Sequence, residues 1–203
     1  MGSPRCASCH APLTTPVACK ACGALQTIPA GTDHFRMLGL PRQYCVDEKL
    51  LEKSYRSTSR LVHPDFFGDK PKTDQEKAMR LTALLNDAYR TLRDPVARAE
   101  YLVRIAGGPT ASADRSTPQG FLVEMLNLRE EAEEPGLPPE RQAGLLADVE
   151  ARIGQLLSEL DGMFSSEARL SREQLAGIRS ALNSYYYLQT LRESLGGEKR
   201  LRH

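Results

Sequence analysis

Four of the five cysteines in this chain fall within its first 22 positions, as Cys6-x-x-Cys9 and Cys19-x-x-Cys22, with nine residues between the pairs. Each C-x-x-C places two thiolates on one tight turn, and two such turns supply the tetrahedral sulfur cage that a single structural zinc ion prefers. Gly23 follows Cys22 and suits the positive φ of such a knuckle turn, while Pro12, Pro16 and Pro29 discourage a helix. Residues 1–30 contain too few apolar side chains to fold by burial alone, so metal binding would supply the folding free energy. Two disulfides would need an oxidising compartment, and a redox dithiol normally opens a helix in a βαβ setting that is absent here. His10, beside four well-spaced thiols, reads as a bystander, and Cys45 as a small packing residue.

A second chemical cluster, His63-Pro64-Asp65, follows a basic stretch. Asp47 is placed to N-cap a helix that runs to about Val62, with Leu51, Tyr55 and Val62 on one face. Lys49, Lys53, Arg56 and Arg60 recur at steps of 4, 3 and 4, about 200° away from the apolar stripe. Such a ridge predicts docking of an acidic partner. Pro64 forces His63 out of helical geometry, and Gly68 and Pro71 keep the chain in a loop. A second amphipathic helix then carries Ala78, Leu81, Leu85, Ala88 and Leu92, which predicts an antiparallel pair with the loop exposed at one end. Asp94-Pro95 stops it, and Val96 to Ile105 reads as a closing helix.

Residues 107–117 form a polar linker, after which three helical stretches follow. The first runs from Thr117-Pro118 to Glu134 and is broken by Pro135-Gly136-Leu137-Pro138-Pro139. The second repeats Leu146, Val149, Ile153, Leu156, Leu160 and Phe164; Ser171 caps the third, which carries Leu175, Ile178, Leu182 and Tyr185. Three amphipathic helices with short breaks predict an antiparallel bundle. In the first of them Phe121, Leu122, Val123, Met125, Leu126 and Leu128 point in too many directions for one buried stripe, so part of this helix is expected to stay exposed as a binding surface. Likewise Tyr185, Tyr186 and Tyr187 span about 200° and cannot all be core.

The full chain of 203 residues is near neutral, with a formal net charge of +1, but its parts differ: +2 over residues 1–30, +3 over 31–107 and −4 over 108–203. The distribution predicts two partners of different character rather than a general polyanion ligand. No apolar run approaches the ~18 residues of a membrane span, and the first nine residues lack a secretory pattern. The cytosol is expected, unless a leader was removed before this sequence begins.

The string Tyr55-Arg56 through His63-Pro64-Asp65, with Asn86-Asp87-Ala88-Tyr89 and Leu92-Arg93-Asp94-Pro95-x-x-Arg98-Ala99-Glu100-Tyr101-Leu102, resembles a J-domain, specifically the HscB-type (type III) co-chaperones of iron–sulfur cluster assembly. Phe121-Leu122-Val123-Glu124-Met125-Leu126-Asn127-Leu128-Arg129-Glu130-Glu131 is similar to the opening of that family's client-binding domain, and the tetracysteine segment resembles the zinc extension of some members. The resemblance implies an all-α fold: a zinc-binding segment (1–30), a J-domain (33–106), a linker (107–117) and a three-helix client-binding domain (118–203).

It implies, further, that His63, Pro64 and Asp65 stimulate the ATPase of a DnaK/HscA-type chaperone, with Lys53, Arg56 and Arg60 giving electrostatic attraction. Phe66 stands where J-domains commonly carry lysine, which fits a dedicated partner. An IscU-type scaffold would meet Leu122, Val123, Leu126, Asn127, Glu130 and Tyr187; Asn127 replaces an acidic residue and Tyr187 a phenylalanine of the family pattern. The expected activity is that of a non-enzymatic adaptor, a monomer or weak homo-oligomer with no nucleic-acid or membrane partner, carrying one structural Zn2+. Two other classes predict different behaviour. A zinc-ribbon nucleic-acid-binding protein with a helical dimerisation domain would depend on Arg5 and Lys20 and bind with steep salt dependence. A thiol oxidoreductase would need Cys6 and Cys9 free of metal.

Overall fold

A computed structural model describes residues 5–165 and 170–196; the outermost parts of the first and last expected domains, 1–4 and 197–203, lie outside the described residues. The described fold is all-α, with seven α-helices and one 3-10 turn. Among the described residues no helix is long and apolar enough to cross a membrane. The chain divides into two compact units, Met1–Arg98 and Ala99–His203, and the division falls inside a helix.

In the first unit, Asp33 caps the short α1 (His34–Met37) by accepting from the Arg36 N–H, and α1 buries Phe35 and Met37. Helix α2 (Glu48–Val62) starts where the sequence places it: Asp47 Oδ1 accepts from the N–H groups of Lys49 and Leu50 at 2.9 and 3.1 Å. Leu51, Thr58 and Val62 are its buried residues, Thr58 being a core position that its hydroxyl hid from an apolar-stripe reading. Pro64–Phe67 form the 3-10 turn, and α3 (Lys72–Arg93) buries the five predicted residues Ala78, Leu81, Leu85, Ala88 and Leu92. Tyr55 joins α2 to α3 by stacking on Tyr89 at 4.2 Å between centroids and donating its hydroxyl to Asn86 Oδ1 at 2.8 Å. Asp94 does more than end α3. Its Oδ1 accepts from Val96 and Ala97 N–H at 2.9 and 2.8 Å, capping α4 (Pro95–Ile105), with Pro95 in the first turn where no N–H is needed.

The second unit holds α5 (Phe121–Ala132), α6 (Pro139–Ser165) and α7 (Arg172–Ser194). Helix α5 begins later than Thr117-Pro118, because Gly120 takes φ +80° and so cannot lie inside a right-handed helix. On α6 the stripe is buried at Leu145, Val149, Ile153 and Leu160, while Leu146, Leu156 and Phe164 are only half-buried; in the Leu145-Leu146 pair the pattern alone selects the wrong member. Ser171 caps α7 in a full capping box with Gln174. Residues 107–117 are held to α7, where Asn183 Nδ2 donates to the carbonyls of Asp114 and Ser116 at 3.1 and 2.8 Å.

Arg179 of α7 is completely buried and makes a bidentate pair with Glu100, both N···O distances 2.6 Å, while its Nε donates to Asn183 Oδ1 at 3.1 Å. Removing one partner of such a pair strands a buried charge and typically costs about 3–5 kcal/mol. Glu100 is 30% exposed, so water screens part of that loss. Glu100→Ala is therefore expected to destabilise the second unit by about 2–3 kcal/mol in urea unfolding. The double change Glu100→Leu with Arg179→Met should recover most of it, whereas a double variant no better than the single one would contradict the stranded-charge explanation.

Candidate functional site

Two small knuckles build the metal centre. In the first, Cys6 N–H donates to Ala11 O at 2.9 Å and His10 N–H to Cys6 O at 3.0 Å; the second repeats this with Cys19 N–H to Ala24 O at 3.0 Å and Gly23 N–H to Cys19 O at 2.9 Å. The residue after the second cysteine needs a left-handed backbone, and Gly23 has φ +73° as its sequence position predicted. His10 occupies the matching place at φ +62°, so its role is in the turn, outside the sulfur cluster.

The four Sγ atoms of Cys6, Cys9, Cys19 and Cys22 lie within 4.8 Å of one another, with Cys6···Cys22 at 3.7 Å and Cys9···Cys19 at 3.6 Å. Tetrahedral Zn–S bonds of about 2.3 Å require sulfurs about 3.8 Å apart, so the donor set and its spacing fit a zinc-sized ion. The electrostatics point the same way. Backbone N–H groups of Cys9 and Ser8 help pull the Cys6 thiol down to about 6. The Ala11 N–H favours the Cys9 thiolate too, but the Cys22, Cys19 and Cys6 sulfurs and burial together outweigh it and hold that thiol up at about 12. Four thiolates this close coexist only around a cation.

Gln26, which the cysteine spacing did not mark, supports this centre. Its side chain is buried, with Nε2 donating to Cys6 Sγ at 3.5 Å and to Ala24 O at 2.8 Å, and Oε1 accepting from Ala7 N–H at 3.1 Å. The knuckle rests on the helical part of its unit. Val17 and Cys19 have no exposed surface, Lys77 of α3 donates to Leu25 O at 3.0 Å, and a Cβ on Gly39 would stand 3.0 Å from Thr14 O. Cys45 departs from expectation: it is exposed, because Tyr44 beside it takes the buried place.

The His63-Pro64-Asp65 loop is exposed at the end of the α2–α3 pair, as its punctuation predicted. His63 caps the 3-10 turn, its Nδ1 accepting from Asp65 N–H at 3.4 Å with the Asp65 carboxylate also 3.4 Å away. The side chain of Asp65 is 85% exposed, so its carboxylate is accessible from solvent. Gln75 Nε2 donates to Gly68 O and Lys70 O, both at 2.9 Å, and fixes the far end of the loop. Lys49, Lys53, Arg56 and Arg60 line one open groove on α2, in which Glu52 pairs with Arg56 at 2.5 Å.

On the bundle, α5 turns Met125 inward and leaves Leu122, Val123 and Leu126 51, 64 and 55% exposed; Asn127 and Glu130 are exposed on the same helix. Tyr185 is core, whereas Tyr186 and Tyr187 are exposed. Tyr187 reaches α5 by an edge-to-face contact with Phe121 at 6.1 Å between centroids. The structure thus brings the six residues of the expected scaffold face onto two adjacent helices. It adds a groove that the sequence did not reveal, lined by Met125, Arg129, Glu133, Tyr186, Tyr187 and Leu191. Its residues come from two helices far apart in the chain, so no local spacing marks it.

Comparison with known proteins agrees with this architecture. Residues 33–101 match the DnaJ domain family. The chain is 34% identical over 125 residues to the co-chaperone protein HscB of Proteus mirabilis, an alignment covering 61% of this chain and 72% of that one. The crystal structure of the human co-chaperone protein HscB superposes with a TM-score of 0.76 at 25% identity, covering 95% of this chain and 97% of the human one. HscB from Vibrio cholerae gives a TM-score of 0.66 at 27% identity, with 81% and 96% covered. With a J-domain, a tetracysteine centre and a relative matched over most of its length, the chain belongs to the HscB family of co-chaperones.

Proposed function

We propose that this co-chaperone delivers an IscU-type iron–sulfur scaffold to a DnaK/HscA-type chaperone and stimulates the ATPase of that chaperone, so that cluster transfer follows. The observation that carries the reading is the pair of unlike exposed surfaces. One is a cationic helix ending in a rigid acidic loop, the other an aliphatic face on α5 flanked by Tyr187. An acidic ATPase suits the first surface, and an apolar client suits the second. His63, Pro64 and Asp65 would act on the chaperone, with Lys53, Arg56 and Arg60 steering the encounter. Leu122, Val123, Leu126, Asn127, Glu130 and Tyr187 would hold the scaffold.

One Zn2+ held by Cys6, Cys9, Cys19 and Cys22 would be structural. The four sulfurs would fill every position of a tetrahedral ion and leave no open site for chemistry. A reducing compartment such as the cytosol suits these thiolates and the exposed Cys45.

The scaffold-binding part is tested by calorimetric titration of purified IscU-type scaffold into wild type and into the triple variant Leu122→Ala, Val123→Ala, Leu126→Ala. Three half-exposed aliphatic side chains at the centre of an interface are expected to weaken Kd at least about tenfold when truncated. Thermal stability should hardly change, since these side chains contribute little to the core. Unaltered affinity would place the scaffold elsewhere on the molecule.

A further inference from the structure

Phe66 is 68% exposed, more than any of the other large hydrophobic side chains that reach the surface of the described residues. Its backbone is nevertheless held. Phe66 N–H donates to His63 O at 3.0 Å, and its ring meets the His63 ring edge-on at 6.3 Å between centroids with a 74° interplanar angle. The turn that carries it starts at Pro64, whose φ is locked, and Gln75 ties the loop beyond it. A single exposed apolar residue is ordinary, but a phenylalanine held out on a braced loop is an anchor whose backbone has little ordering entropy left to lose on binding.

The ring also has a defined neighbourhood. It stands at one end of a groove lined by Tyr55, Arg56, Ser59, Arg60, His63 and Asp65, continuous with the cationic face of α2. Resting on the chaperone-docking reading above, we propose that Phe66 inserts into an apolar recess on the ATPase chaperone, beside the acidic surface that Arg56 and Arg60 meet. Charge and ring divide the work physically. The arginines raise the association rate and lose effect as salt screens them, whereas burial of the ring slows dissociation and is insensitive to moderate salt.

The test is surface plasmon resonance of the full chain against the ATP-bound HscA-type chaperone at 0.05 and 0.3 M salt, with Phe66→Ala, Phe66→Tyr and Arg56→Ala. The expected result is that Phe66→Ala raises koff about tenfold or more at both salt concentrations. Phe66→Tyr should restore most of the affinity, and Arg56→Ala should lower kon mainly at low salt. An equal koff for Phe66→Ala and wild type overturns the proposal, as does a Phe66 effect that vanishes at high salt. Asp65→Ala, assayed in parallel for ATPase stimulation, separates the two readings. If it abolishes stimulation while Phe66→Ala binds as wild type, only the anchor fails; if it stimulates fully, the docking reading itself fails.

Discussion

Replacing Asp65 by alanine is expected to abolish stimulation of the partner chaperone's ATPase while leaving the fold and scaffold affinity intact. The side chain is 85% exposed and takes part in no core packing, so the change removes a function without removing support. What it removes is a carboxylate on backbone that Pro64 and the His63 cap hold in place, one that would make a charge-assisted bond to a cation of the chaperone. Losing one such bond, worth about 1.5–3 kcal/mol, corresponds to about a tenfold to hundredfold loss of coupling. Steady-state phosphate release with saturating scaffold measures this. Stimulation within about twofold of wild type would remove the tripeptide from the mechanism.

Loss of the metal centre should have the second largest effect, and a different signature. Apparent metal-binding free energies of about 10–16 kcal/mol in comparable small sites make metal the dominant support of residues 5–26, whose own buried apolar side chains are few. Cys19→Ser, or treatment with a strong chelator, is expected to remove amide protection across that segment and to lower the melting temperature of the unit Met1–Arg98. The protection of α5 to α7 should persist, because they belong to the other compact unit. Helical circular dichroism should also change little, since the knuckle contributes isolated bridges and turns instead of helix. Hydrogen exchange of the chelated protein reads the loss in residues 5–26 and the persistence in α5 to α7 at once. Undiminished protection at Cys6, Cys19 and Gln26 would mean that the segment folds without metal.

How far each feature could be read from the sequence follows from the range of the forces that make it. The sulfur quartet was legible because two C-x-x-C turns bring their own ligands together locally. The α3 core was legible because Ala78, Leu81, Leu85, Ala88 and Leu92 repeat at the helical period, and the exposed aliphatic face of α5 because its apolar residues outnumber one stripe. Errors arose where two local readings compete: Leu145 against Leu146, and the start of α5, where the φ of Gly120 overrides the favourable Thr117-Pro118. What could not be read depends on partners distant in the chain. Arg179 looks like a surface base until Glu100, 79 positions away, closes on it. Lys77 and Leu25 meet across 52 positions, and with them the knuckle finds its seat on α3. Gln26 supports Cys6 from 20 positions away, a contact that exists only when both knuckles close.

On the proposed function, one molecule couples a client to an ATPase through separate surfaces. The most direct test of that coupling is the chaperone's steady-state ATPase measured with scaffold alone, with this protein alone, and with both, for wild type and the Leu122→Ala, Val123→Ala, Leu126→Ala variant. Wild type and scaffold together are expected to stimulate well beyond the sum of their separate effects, and the triple variant to keep its own stimulation but lose that excess. Additive stimulation by the wild type, or an excess undiminished in the variant, would contradict the coupling.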